Sequence, residues 1–435
     1  MGDYVGIVSL LNNETNDNNQ TRRFGRFATA GITFQGGSAA VDSSTIIATL
    51  VHSLTGSAFA VGAASAALRF GWLFPQIFIA YLAQQRRRRM PFYIVGAFGR
   101  ATCLALLATV LASAAVLPVT LTIGLFFVFW IAYSFISGIV AVPYNDIIGR
   151  SIASERRSRL LALRFFGGGV LALIVAAVAH QVIDALSLFT AYAIIIGIGA
   201  VLMYTSSILF VSAGEPEAPP SVWASDGFWP FVRRGVALFR TDDRFRLFVY
   251  SQWCGGVVMM ALPFYVVQAM TLGVDTAAAA LLLAAQTAGA LASNALWGWW
   301  GDTRGKVSLL HGVALLRVLP PVATLCLVAW ETADSTSMLV GFGVIFFGLG
   351  ALSNGVTIAL IGYLMEISPN DQRPAYSGYF NAIVAPASLL PLAAAAVVTW
   401  LSLASVFYIS FAAALIQFIM VHRLTLSAGD DSSGS

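Results

Sequence analysis

The sequence predicts an all-α integral membrane protein of twelve transmembrane helices, arranged as two pseudo-symmetric six-helix bundles. Three observations carry that prediction. Composition is the first: 58% of the residues are hydrophobic and 10% charged, where a soluble domain carries about 25% charged residues. The second is spacing, because apolar stretches of about 20 residues, the length that crosses a hydrocarbon core, recur along the chain. The third is a duplication. Arg89 and Lys306, Arg100 and Arg317, Arg156 and Arg373, and Gln35 and Gln252 are each separated by 217 residues in a chain of 435. A hydrophobic half-chain written twice implies two related bundles.

In order, the apolar stretches fall at 28–52, 57–83, 92–115, 118–144, 160–184, 187–211, 246–270, 276–300, 307–329, 337–365, 375–400 and 402–422. They are too long and too uniformly apolar for barrel strands, so each is expected to be a helix. The connections alternate in charge. One set carries Arg22, Arg23 and Arg26, then Arg86 to Arg89, Arg150 to Arg159, Arg233 to Arg244, Arg304 with Lys306, Arg373 and Arg423. The other set, near 53–57, 116–118, 185–187, 271–276, 330–336 and 401, has no lysine or arginine. The positive-inside rule places the first set, and both termini, in the cytoplasm. Residues 212–245 join the bundles 28–211 and 246–422. That connection opens as a Glu/Pro-rich linker and continues as an amphipathic helix with Phe228, Trp229, Phe231 and arginines, suited to the inner membrane surface. Residues 1–27 and 423–435 are expected to be disordered tails.

The net charge is +4, but the basic residues sit in short clusters between spans, which excludes a nucleic-acid surface. Cys103, Cys254 and Cys326 are far apart and within spans, and the four histidines are scattered, so neither metal nor cofactor is expected. The chain is expected to be a monomer in the cytoplasmic (inner) membrane, with the lipid bilayer as its solvent.

A charge deep in a membrane helix costs about 2.5–3.5 kcal/mol on insertion scales, so such groups are functional candidates. Asp42 and Arg69 lie at equal distances from the turn at 54–57, which places both at roughly 20 Å depth in an antiparallel hairpin. They are expected to form an ion pair, or to share a solute or proton, in a central cavity. Gln35, Gln76, Gln252, Gln286, Asn354 and Asn381, with Asn294, are polar residues expected to line it. Arg100 and Arg317 obey the duplication and are expected to snorkel toward the cytoplasm or to pair with the adjacent loop. Pro386 and Pro391, with Gly341, Gly343, Gly348 and Gly350, mark sites of bending or close helix packing.

The loop Gly298-Trp299-Trp300-Gly301-Asp302-Thr303-Arg304-Gly305-Lys306 resembles the Gly-x-x-x-Asp-x-x-Gly-(Arg/Lys) signature of the major facilitator superfamily. The twelve spans, two parallel halves and long central connection resemble that family too. In the first-half copy, Tyr81 to Arg89, Gln85 and Arg88 replace the Asp and second Gly. The resemblance implies a secondary active transporter moving a small organic solute by alternating access, with protons as a second partner; one acid, one guanidinium and several amides suit an amphipathic or anionic molecule. It also implies a cytoplasmic gate of charge pairs: Arg89 with Asp146 and Arg150 in the first half, and Asp302, Arg304, Lys306, Glu366 and Arg373 in the second. The alternative is a non-transporting scaffold, sensor or assembly factor on the same fold. A plugged apolar centre would favour the scaffold, and an open polar cavity the transporter.

Overall fold

The computed structural model describes residues 2–84, 86–152, 154–216, 227–330, 334–367 and 373–432, with side chains left out at several helix ends. Every regular element among them is helical. α1 (Gly2–Ala39) and α2 (Ile46–Thr55) make the first span. α3 (Ala58–Gln84), α4 (Met90–Ala112), α5 (Val119–Ser151), α6 (Ser154–Ala185) and α7 (Leu188–Ser212) complete the first bundle. α8 (Phe228–Thr241) connects it to the second. There, α9 (Asp243–Met259) pairs with α10 (Leu262–Thr271), followed by α11 (Ala278–Thr303) and by α12 (Lys306–Leu316) with α13 (Leu319–Ala329). α14 (Ser335–Ile367), α15 (Arg373–Val384) with α16 (Leu390–Trp400), and α17 (Leu403–Ser432) finish it. Eleven of these helical stretches are long and apolar enough to cross a membrane, and the interrupted first span is the twelfth.

α1 begins at Gly2 and α17 reaches Ser432, so both helices run on past their spans into the terminal segments. Neither stretch contains proline, and a helix already nucleated by its span propagates readily.

Four spans are interrupted, and each break has a local cause. In the first span, residues 40–45 leave the helix. The run Asp42-Ser43-Ser44-Thr45 offers the backbone side-chain acceptors that compete with helical hydrogen bonds. In the seventh, Pro263 cannot donate and its ring crowds the carbonyl four residues back, at Met259, where α9 ends. Pro320 and Pro321 act in the same way on the ninth, where α12 ends at Leu316. The eleventh passes through a 3-10 turn, Ala385–Leu389, which contains Pro386 and is followed by Pro391 in the first turn of α16. The first and seventh breaks lie at matching places in the duplication, although Asp42 has no acidic counterpart there.

Packing differs between the two ends of the spans. At the end without lysine or arginine, one core unites both bundles. It includes Ile46, Ile47 and Leu50 of α2, Val61 of α3, Phe264, Tyr265 and Val267 of α10, Leu282 of α11 and Ala394 of α16. His180 adds a cross-bundle hydrogen bond, Nδ1 to the Ala277 carbonyl at 2.9 Å. At the arginine-rich end the bundles have separate cores. Phe27, Tyr93, Ile147 and Phe210 form the first; Phe245, Phe248, Leu309, Tyr363 and Phe380 form the second. The molecule is thus sealed across one end and divided at the other.

Glycines permit the closest approaches. A Cβ on Gly350 of α14 would lie 1.7 Å from the Gln286 carbonyl oxygen of α11, and one on Gly289 would lie 1.9 Å from the Phe347 carbonyl oxygen. Gly350 therefore serves packing, whereas Gly343 and Gly348 face open space. α8 lies against the arginine-rich end of α3, with Phe228 stacked on Phe78 at 5.5 Å, while Trp229 remains exposed.

Candidate functional site

Where the shared core ends, a cavity of about 210 Å³ opens between the bundles. Asp42, Gln35 and Ser38 line it from the first span. Phe165, Gly168 and Gly169 come from α6, Gln286, Thr287 and Asn294 from α11, and Ser353 and Asn354 from α14. Four expected residues, Asp42, Gln35, Gln286 and Asn354, thus meet at one place, together with Asn294. Arg69, Gln76, Gln252 and Asn381 do not line it. Gln76 donates Nε2 to the Trp72 carbonyl of its own helix at 2.8 Å, Gln252 is buried against the Ser251 hydroxyl at 3.2 Å, and Asn381 lies exposed elsewhere.

Asp42 occupies the break between α1 and α2. Its Oδ1 accepts from Ser44 N at 2.9 Å, Ser44 Oγ at 2.6 Å, Thr45 N at 2.9 Å and Thr45 Oγ1 at 2.9 Å. The carboxylate therefore holds the turn that starts α2. Ser44 Oγ also approaches Gln286 Oε1 of the other bundle, at 3.4 Å. The expected ion pair with Arg69 is not formed: Arg69 feels the Asp42 charge without touching it. The reason is local, because the interrupted helix exposes donors that are nearer to Asp42 than any residue of α3.

The amides are partly engaged. Asn354 Nδ2 donates to the Ala290 carbonyl at 3.1 Å and to Asn294 Oδ1 at 3.0 Å. That fixes both side chains and leaves Asn354 Oδ1 and Asn294 Nδ2 for a solute. Gln35 makes no hydrogen bond among the described residues.

Arg100 and Arg317 are a second correction. Each is 5% exposed, so neither snorkels. Arg100 stacks its guanidinium over the Phe34 ring at 4.5 Å. Arg317, in the break between α12 and α13, donates Nη1 to Gln417 Oε1 at 2.9 Å and Nη2 to the Gly255 carbonyl at 3.2 Å. Both reach inward because aromatic faces and helix-break carbonyls offer partners that lipid does not. Arg164, which the sequence reading passed over, donates to the Tyr144 hydroxyl at 2.8 Å and shares the Phe34 ring at 5.5 Å.

The charged residues at the arginine-rich end join within each bundle. Arg89 Nε lies 3.2 Å from Asp146 Oδ2, and Arg150 Nη2 lies 2.5 Å from the same oxygen and 2.7 Å from Glu215 Oε1. Glu215, which the sequence reading placed only in a linker, also accepts from Arg89 N at 2.7 Å and Met90 N at 2.8 Å. It thereby caps α4, where an anion is favoured. In the second bundle, Gly305 takes a left-handed φ of +82° that the signature glycine permits. The Lys306 charge acts on Glu366, whose carboxyl burial raises above its usual range, and Arg304 lies over the Trp299 and Trp300 rings. The side chains of Asp302 and Arg373, with Arg156, lie outside the described residues.

The Glu215 side chain is 5% exposed, deep enough for its pairing to count in stability. Burial alone would push its carboxyl up, but the Arg150 guanidinium and the Arg89 and Met90 N–H groups outweigh that and hold it below the usual carboxylate range. Its contribution is complete above the unfolded carboxylate value and is lost as pH falls through the lower folded one. Glu215→Gln should lower stability at neutral pH by about 1–3 kcal/mol. The gap in melting temperature between wild type and variant should close as the pH is lowered.

The sequence profile of the Major Facilitator Superfamily matches residues 28–384. Among solved structures, the chain is similar to a mutant of the nucleoside transporter NupG, with a TM-score of 0.72 and 12% identity over 92% of this chain and 99% of that one. It is similar to the POT family transporter PepTSo at a TM-score of 0.71 and 10% identity, over 95% of this chain and 99% of that one. A bacterial homologue of the iron transporter ferroportin in its inward-facing state gives a TM-score of 0.63 and 12% identity, over 93% and 98%. No curated protein matches the sequence. The matched profile spans most of the chain and both halves of the fold, and the protein belongs to the major facilitator superfamily.

Proposed function

We propose that the protein is a secondary transporter that carries a small organic solute across the cytoplasmic membrane by alternating access. In this reading the arginine-rich end faces the cytoplasm, following the positive-inside rule, and the solute binds between Gln35, Asp42, Gln286, Asn294 and Asn354. The observation that carries it is the arrangement of the cores. One shared core closes the far end, two separate cores leave the cytoplasmic end divided, and the polar cavity lies where they meet. That is the geometry of a carrier waiting for its solute from the cytoplasmic side, with two bundles free to rock about a midplane site. A scaffold has no use for unengaged amides at that depth, so the polar lining favours transport.

The test begins with a thermal-shift screen of the purified protein against metabolites, siderophores and drugs, followed by uptake of the stabilising compound into proteoliposomes. Uptake should saturate. It should fall about tenfold or more, ~1.4 kcal/mol, in Asn354→Ala with little change in melting temperature. A compound that binds but is never carried would contradict transport. An imposed pH gradient that drives uptake in wild type would establish proton coupling, and indifference to the gradient would remove it.

A further inference from the structure

We propose that the solute is an organic anion and that Arg69 binds its carboxylate or phosphate group. The proposal rests on the transport reading and names its substrate class.

The argument is a balance of charge. Within the spans, away from their ends, the described residues hold three guanidiniums, Arg69, Arg100 and Arg317, against one carboxylate, Asp42. Arg317 is held by Gln417 and the Gly255 carbonyl, and Arg100 lies over the Phe34 face at 4.5 Å, with its Nε buried and unbonded among the described residues. Asp42 commits one oxygen to four donors of its own chain. Arg69 has neither kind of anchor: among the described residues it has no hydrogen-bond or ion-pair partner and no ring beneath it, yet it sits mid-span, partly accessible, in the fields of both Asp42 and Arg317. A guanidinium cannot lose its charge to relieve this position. Half-buried without a partner it is destabilising, and a bound anion is the partner that this place lacks. The planar fork suits carboxylate and phosphate, which accept two parallel N–H bonds. Its counterpart in the duplication, Gln286, lines the cavity as a neutral amide. The broken symmetry thus puts a cation on one side of the centre and an amide on the other, a pair suited to an acid group with a polar body.

The experiment uses the purified full-length protein in detergent, at constant ionic strength. Melting temperatures of wild type, Arg69→Gln and Arg69→Lys are measured alone, with sodium acetate, with inorganic phosphate and with sodium chloride. Without added acetate or phosphate, Arg69→Gln should melt several degrees above wild type, since it removes an uncompensated cation. Acetate or phosphate, whichever matches the solute's head group, should raise wild type more than chloride does, raise Arg69→Lys less, and leave Arg69→Gln unmoved. The idea is overturned if Arg69→Gln melts below wild type or fails to fold, because Arg69 is then structural. It is equally overturned if neither anion outdoes chloride, or if all three proteins respond alike. None of those outcomes touches the transport reading, which stands or falls on uptake and on Asn354.

Discussion

Asp42→Asn should fold and fail to transport. Asparagine keeps an Oδ1 acceptor for the Ser44 and Thr45 groups, and it serves as well as aspartate at a helix start, so the break and α2 should survive. What disappears is the only carboxylate among the described residues whose charge reaches Arg69 from the cavity. Without it, the empty carrier must reorient with no carboxylate field to offset the Arg69 charge. Turnover should then fall by at least the tenfold that ~1.4 kcal/mol represents. Asp42→Ala separates the two roles, since it also removes the acceptor and should lower stability by about 0.5–2 kcal/mol. Melting curves and proteoliposome uptake on both variants decide the matter: normal transport by a well-folded Asp42→Asn would make the residue a helix cap and nothing more.

Gly350→Val should be the most disruptive single replacement near the cavity. The 1.7 Å between its Cβ position and the Gln286 carbonyl oxygen is far inside contact distance, and the obstacle is backbone. α11 and α14 would have to separate, loosening Gly289 against Phe347 and shifting Gln286, Asn294 and Asn354 together. Overpacking of this kind costs about 1–3 kcal/mol and sometimes more, and a misplaced site loses activity beyond the loss of stability. Gly348→Ala on the same helix is the control. It faces open space and exchanges glycine for the better helix former, worth up to about 1 kcal/mol. A large fall in melting temperature for Gly350→Val, with Gly348→Ala unchanged or higher, is the expected pattern.

Long apolar runs and alternating loop charge made the spans legible, because both signals extend over many residues and a bilayer tolerates few exceptions. Gln35, Gln286 and Asn354 were legible as a set, since unpaired amides in spans need protein or water. The partner of Asp42 was not. Equal depth brought Arg69 to the right level, but whether a side chain turns to the neighbouring helix or back on its own chain depends on donors freed by a helix break. The signal for that break was present in Asp42-Ser43-Ser44-Thr45, a turn-like run inside a span. Arg100 and Arg317 misled for a related reason: snorkelling is the default for an arginine near a span end, and only the assembled bundles supply the Phe34 face and the Gly255 carbonyl. Glu215 carried no intrinsic mark, because its role comes from the start of α4 folding against it.

The central claim is that the cavity opens toward the arginine-rich end and is sealed at the other. Ser353 lines the cavity and is exposed, so Ser353→Cys in a background where Cys103, Cys254 and Cys326 are serine provides a reporter. Labelled with a membrane-impermeant maleimide in the absence of solute, it should react quickly in vesicles that expose the arginine-rich end and slowly in those that expose the opposite end. Equal labelling from both sides, or faster labelling from the opposite end, would contradict the account.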